Sequence, residues 1–203
     1  MFQKKLDKIL SQALTDAGFT TPTPLQLKSI PRIKSGSDLV CVAPQGSGKT
    51  MAIVIGVIQQ LKRAVADVPR ALIVVRDVEA AQVMQEQFDQ LTEDMDLRVH
   101  NAMDGRRLDD IRDRIYFGSD VVIGTAKRFN ELYSMSGLNL NDLKMFVVDD
   151  ADKVMKMEVL SQIDRLSRSI PKSQHIVFAK IMTDRIERYA ESFMAIHDIL
   201  EIE

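Results

Sequence analysis

Short unbroken blocks of apolar residues alternate along the chain with longer stretches in which apolar positions recur every three or four residues. The blocks cover residues 39–43, 71–75, 97–100, 121–123, 145–148 and 175–178, with a weaker one at 198–202. A strand with one wet face alternates apolar and polar residues. These blocks do not alternate, which predicts strands covered on both faces. The stretches between them have helical period: Val83, Met84, Phe88 and Leu91 share one side of 78–91, and Leu160, Ile163, Leu166 and Ile170 one side of 159–170. A further helical stretch runs over 183–193, with Asp184 and Glu187 near its start. Strand–helix alternation of this kind predicts an α/β fold. Right-handed β–α–β units would place a mainly parallel sheet of about seven strands between two helical layers. Ligands of such sheets sit at the carboxyl ends of the strands. No repeat or Pro/Gly-rich linker marks a boundary, so residues 1–203 read as one domain. Within it, residues 1–26 form an N-terminal helix and lead-in segment, and 27–203 the core.

Charge changes this picture little. The 203 residues hold 27 Lys+Arg against 29 Asp+Glu, a formal net charge of −2, so any polyanion partner needs a local basic patch. An apolar fraction of 45% with 28% charged residues is that of a globular domain and excludes a disordered or fibrous chain. The single cysteine, Cys41, excludes an intramolecular disulfide and a Cys-based zinc site, and its place in a strand block makes it a small core residue. The longest stretch without a charged side chain, 50–61, is too short to span a bilayer. The N-terminus is amphipathic and lacks an apolar signal core. These features predict a cytoplasmic protein with no membrane partner. His100 and His175 lack metal-ligand spacing and read as structural.

Chemistry enters directly after the first strand block, with Ala43, Pro44, Gln45, Gly46, Ser47, Gly48, Lys49 and Thr50 followed by an apolar helix over 51–61. This is the Walker A pattern, with Ala43 in the place of the first glycine. Gly46 and Gly48 let the backbone turn its N–H groups toward a polyphosphate, and the helix N-terminus adds its positive end. Lys49 reaches the terminal phosphates, and the Thr50 hydroxyl is a ligand for Mg²⁺. The plain alternative is a glycine-rich turn with a solvated lysine, against which the strand–loop–helix context argues. A Walker B aspartate belongs at the end of another buried strand, and Asp149, Asp150, Ala151 and Asp152 follow the block at 145–148. Alone, that acidic cluster reads equally well as a helix cap with acids in its first turn.

Together with the segment Gly18 to Gln26 (Gly-Phe-Thr-Thr-Pro-Thr-Pro-Leu-Gln), these motifs resemble the DEAD-box ATP-dependent RNA helicases. More narrowly, essentially the whole chain is similar to the first of their two RecA-like, P-loop NTPase domains. The resemblance implies binding of ATP or ADP with Mg²⁺ and contact with RNA. It makes Lys49, Asp149 and Asp150 the catalytic residues and Thr50 and Asp149 the metal ligands. Gln26, in the family's Q motif, would read adenine with both its donor and its acceptor. Phe19 and Phe2 are candidates to pack near the base, and for Phe2 a core role is an equal alternative.

Departures from the family pattern carry the functional question. The family's Asp-Glu-Ala-Asp has become Asp149-Asp150-Ala151-Asp152. Asp150 therefore replaces the water-positioning glutamate on a stem one methylene shorter, in a reaction that depends on positioning. The family's Ser-Ala-Thr corresponds to Ala179-Lys180-Ile181, between the matching Phe178 and Met182, so Asp152 is expected to lose the partners through which it senses the nucleotide. In the region matching Pro-Thr-Arg-Glu-Leu-Ala, Asp77 falls on the arginine's place and Glu79 follows, which would turn a phosphate clamp into a repulsion. The glycine pair is reduced to Asp104-Gly105, followed by Arg106 and Arg107, and Thr-Pro-Gly-Arg has become Thr125-Ala126-Lys127-Arg128. Gly105, Arg106, Thr125, Lys127 and Arg128 thus outline a weak RNA face, for which a solvated rim is the alternative.

The resemblance pairs this domain with a second RecA-like domain in cis, absent from these residues. That domain would bring an arginine finger worth roughly 10³–10⁵ in rate, so the domain alone is expected to be inactive or very weak. Two functions follow: the ATP-binding N-terminal half of an RNA helicase with degenerate hydrolysis and RNA motifs, or a non-catalytic nucleotide-gated interaction protein. A P-loop kinase or GTPase is disfavoured by Gln26 and by the lack of an Asn-Lys-x-Asp motif.

Overall fold

The computed structural model describes residues 6–103, 107–194 and 196–203. In chain order its elements are α1 (Lys8–Asp16), α2 (Pro24–Ser35), β1 (Asp38–Val42), α3 (Lys49–Leu61), β2 (Ala71–Val74), α4 (Val78–Thr92), β3 (Val99–Asn101), α5 (Leu108–Tyr116), β4 (Val121–Gly124), α6 (Ala126–Ser134), β5 (Met145–Val148), α7 (Ala151–Val154), α8 (Met157–Ser169), β6 (Gln174–Ala179), α9 (Asp184–Phe193) and β7 (His197–Glu201). Among the described residues, seven strands form one sheet in the order β3-β4-β2-β5-β6-β1-β7. Every registered pair is parallel.

The unbroken apolar blocks are explained by two cores. Met145 and Val147 of β5 pack with α1–α4 on one face of the sheet. Phe146 and Val148, one residue on in each case, pack with α5–α9 on the other. A strand between two helical layers has no wet side, so neither parity of its residues is polar. Cys41 is fully buried in β1, and burial pushes its thiol up to about 12.

Two expectations shift. Val83 is 49% exposed, and the inward stripe of α4 is Ala81, Met84, Phe88 and Leu91. The third strand starts at Val99, because Asp120 claims the backbone N–H of Arg98 that a strand start at 97 needs for pairing. Asp120 is fully buried, bonded to Arg70 Nη2 at 2.7 Å and Arg98 Nε at 2.9 Å. Burial alone would raise its carboxyl, but the two guanidiniums hold it below the usual carboxylate range. This pairing fixes the amino ends of β2, β3 and β4, opposite the motifs.

His175 is buried in β6, its Nδ1 2.8 Å from the Tyr189 hydroxyl, and burial pushes it down to about 4. Both His175 and His100, which contacts Ser119 Oγ at 2.7 Å, lie in sheet strands as structural residues.

Candidate nucleotide-binding site

The carboxyl ends of β1, β5 and β6 bring the motifs together. Between β1 and α3 the backbone turns through Gly46 (φ 83°) and Gly48 (φ 87°), left-handed conformations that a side chain would strain. Gly48 caps α3 without a side-chain hydrogen bond, which leaves first-turn amides of a largely buried helix facing the loop. Lys49 is buried, and its Nζ donates to the carbonyls of Ala43 and Pro44 at 2.8 Å each. Ser47 Oγ also donates to Pro44 O at 2.8 Å. Pro44, Gln45 and Ser47 form the rim of the loop. The ammonium is held at the hinge of the turn by two neutral acceptors, which a phosphate oxygen outcompetes.

The second half of the site comes from β5. Thr50 Oγ1 donates to Asp149 Oδ2 at 3.3 Å across 99 residues of sequence, and Asp149 Oδ1 accepts the N–H of Asp150 at 2.8 Å. Burial first, and then the neighbouring Asp150 charge, push the Asp149 carboxyl up to about 6. Its direct partners are a hydroxyl and an amide, both neutral. A divalent cation between Thr50 Oγ1 and Asp149 fits this arrangement, because it would compensate a buried carboxylate. Among the described residues no group of three or more His, Cys, Asp or Glu could hold a metal by itself. The donor set therefore suits Mg²⁺, which keeps waters and shares substrate phosphates.

The Gly18–Gln26 segment packs against the loop from the other side. Thr23 and Gln26 form a capping box at the start of α2: the Thr23 hydroxyl accepts the Gln26 N–H, and Gln26 Oε1 accepts the Thr23 N–H at 2.9 Å. Thr23 Oγ1 donates to Ser47 O at 2.8 Å, and Gln26 Nε2 donates to Gly48 O at 3.3 Å. Both ends of the Gln26 amide are thus engaged within the protein. A bidentate contact with adenine requires Gln26 to release at least one of them. Phe19 is 40% exposed and lines a crevice of about 20 Å³ with Leu14, Pro22, Gln26 and Met51. A much larger concavity, about 1010 Å³, lies at the opposite ends of the strands beside Asp38, Lys144 and Gln174, away from every motif. Phe2 lies outside the described residues.

Asp150 and Asp152 depart from the sequence expectation. Asp150 adopts a left-handed backbone (φ 48°, ψ 44°), and its carboxylate is drawn toward the β2–α4 turn. Arg76 Nη1 meets Asp150 Oδ2 at 2.6 Å, and Lys153 Nζ meets the same oxygen at 3.2 Å. Asp152 keeps a partner: its Oδ1 accepts the backbone N–H of Lys180 at 2.8 Å. Loss of the Ser-Ala-Thr hydroxyls removed side-chain donors, but the main chain after β6 still supplies one. The expectation that Asp152 is left without partners there is corrected.

Toward β4, Thr125 caps α6, its Oγ1 accepting the Arg128 N–H at 3.3 Å, while Arg128 Nη1 pairs with Glu131 at 3.2 Å. Lys127 is exposed beside them. Gly105 and Arg106 lie outside the described residues. Asp77 caps α4 by accepting the Ala80 N–H at 2.8 Å, and also accepts from Arg76 Nε at 2.9 Å. Its charge is spent on the helix and on Arg76. Arg76 directly precedes Asp77 in the region matching Pro-Thr-Arg-Glu-Leu-Ala, at a position where the family pattern has no cation, so the resemblance gives it no role. The available signal was a cation directly following a buried strand.

Comparisons with known proteins agree with this geometry. The family model described as DEAD/DEAH box helicase matches residues 23–181. The chain is 33% identical to the ATP-dependent RNA helicase DBP10 of Pyricularia oryzae, over 92% of this chain and 21% of that protein. It is 32% identical to the ATP-dependent rRNA helicase RRP3 of Scheffersomyces stipitis, over 91% of this chain and 38% of that one. The yeast DEAD-box splicing factor Prp28 superposes with a TM-score of 0.90 at 25% identity, over 98% of this chain and 50% of that one. A DEAD box protein from the hyperthermophile Methanococcus jannaschii shares the fold with a TM-score of 0.90. The chain thus spans between a fifth and two fifths of these two curated relatives, and half of the Prp28 chain. No helix among the described residues is long and apolar enough to cross a membrane. With its phosphate loop, acidic tetrad and seven-stranded RecA-like sheet in register with that match, this chain belongs to the DEAD/DEAH box helicase family.

Proposed function

We propose that residues 1–203 form the single ATP-binding, N-terminal RecA-like domain of a cytoplasmic DEAD-box-type RNA helicase. Residues 1–26 would serve as its Q-motif lead-in, and a second RecA-like domain would act with it in cis. The observation that carries this reading is the contact of Thr50 with Asp149 beside the left-handed Gly46–Gly48 turn. It joins a phosphate cradle to a buried carboxylate that suits a metal. In this reading Lys49 leaves Ala43 and Pro44 for the terminal phosphates, Thr50 and Asp149 share Mg²⁺, and Gln26 reads adenine with Phe19 near the base. Asp152 reports the nucleotide to the chain after β6 through Lys180. RNA contact is weak and rests on Thr125, Lys127 and Arg128, with Gly105 and Arg106 as further contributors.

A second reading, a nucleotide-gated interaction protein without hydrolysis, draws support from the Arg76–Asp150 pair, which occupies the carboxylate that hydrolysis needs. Calorimetry with ATP, ADP and GTP in the presence of Mg²⁺ tests what both readings share. Preference for adenine nucleotides that vanishes in Gln26→Ala is the expected result, and equal affinity for ATP and GTP contradicts it. Turnover after addition of a family second domain and RNA then separates the two readings.

A further inference from the structure

The turn after β2 lies at a junction. On one side Asp149 N donates to Val74 O at 2.9 Å, tying the acidic tetrad to β2. On the other side Val75 N donates to Gly124 O at 2.9 Å, tying the end of β2 to the segment that leads through Thr125 into α6, which carries Lys127 and Arg128. Arg76 projects from this junction. Its Nε and Nη1 hold Asp77 and Asp150, while its side chain remains 38% exposed against 20% for Asp150. A guanidinium has five N–H donors in a planar fork, so donors remain to meet an incoming phosphate oxygen.

Of the two cations on Asp150, only Arg76 anchors it to another part of the fold. Lys153 sits three residues on, in the short α7 that Asp150 itself caps, and moves with it. Arg76 is 74 residues away, in the turn that follows β2, the strand paired with β5. A partly exposed ion pair is weak enough to exchange partners. A ligand shifts such an arrangement only by binding one form better, and a phosphate meets more guanidinium donors once Asp150 is released.

We propose that Arg76 is a phosphate-responsive positioning residue, which holds the Asp150 carboxylate at the β2–α4 turn and releases it when an RNA phosphodiester takes over the guanidinium. This rests on the reading of Asp150 as the water-positioning carboxylate of an ATP site. It adds that the position of Asp150 is set from the RNA side of the sheet.

The test uses NMR of the 203-residue chain, following the Asp150 ¹³Cγ and Arg76 ¹⁵Nε resonances, with oligouridylate as probe and fluorescent-ATP affinity measured in parallel. Arg76→Met is expected to shift Asp150 Cγ. Oligouridylate should move the wild-type Cγ toward the Arg76→Met position, shift Arg76 Nε, and leave Cγ unmoved in the variant. An Asp150 signal insensitive to Arg76→Met overturns the proposal. So does one that oligouridylate fails to move in the wild type, or moves equally in both proteins. Should Arg76→Met disturb the core, Asp150→Asn read at Arg76 Nε carries the same test. Loss of ATP binding with the Asp150 response intact removes the nucleotide reading alone, whereas ATP binding with an inert Asp150 removes the latch alone.

Discussion

Two corners of one sheet edge use polar side chains in opposite ways. At the phosphate corner, Lys49, Thr50 and Asp149 rest on weak or neutral partners: two carbonyls, a 3.3 Å hydroxyl contact and a backbone amide. At the latch corner, Arg76, Asp77, Asp150 and Lys153 neutralise one another with charged contacts between 2.6 and 3.2 Å. Matching residue types therefore describe the first corner well and the second poorly. A charge that a ligand must meet is useful only while its present partner is cheaper to leave than the ligand is to bind.

The largest expected effect tests the phosphate corner. Lys49→Ala removes a charge-assisted contact worth about 3 kcal/mol and should weaken ATP affinity about 100-fold by calorimetry. A loss below threefold would show that the ammonium stays on Ala43 and Pro44 when nucleotide binds.

A control away from both corners is of similar size but acts on stability. His175 is held down to about 4 from an ordinary value of 6.5. Between those values the unfolded chain binds the proton and the folded chain does not. Stability is therefore complete above 6.5 and is lost as pH falls toward 4, by up to about 3 kcal/mol. Urea midpoints at pH 7 and pH 4.5 should diverge in the wild type, and much less in His175→Gln. Equal divergence in both assigns the acid sensitivity elsewhere.

At the latch corner, Asp150→Glu lengthens the stem by one methylene and should raise turnover about tenfold once a second RecA-like domain and RNA are supplied. If the unmodified chain already turns over as fast, Asp150 positions water competently and the contrast between the corners loses its catalytic meaning. The smallest effect lies at the edge of the basic face. Removing Lys127 and Arg128 together should weaken oligouridylate binding several-fold and lower the salt slope by about two, read by anisotropy across a salt series. Binding indifferent to both would leave that face a solvated rim.

Much of the molecule is legible in its sequence. The inner strands β1, β2, β4, β5 and β6 lie on apolar blocks, because coverage on both faces leaves a signature in each strand by itself, whereas the edge strands β3 and β7 are part-exposed and carry polar residues. The phosphate loop was equally legible, since its glycines, lysine and threonine act within one contiguous turn. Val83 lies at the flank of the α4 stripe, where helical period does not separate core from rim and only packing decides which flank faces inward.

Sequence by itself determined the fold class, the family and the residue types at the nucleotide corner, all of which depend on local pattern or on short contiguous motifs. Tertiary structure alone decided who holds whom. Gln26 is drawn to Gly48, Arg76 to Asp150 across 74 residues, and Asp152 to the main chain of Lys180. The physical reason is competition: a charged or amide side chain takes the best partner within a few ångströms, and which groups come that close is set by strand order. The N–H that rescues Asp152 is carried by any residue but proline, so no side-chain motif could have announced it.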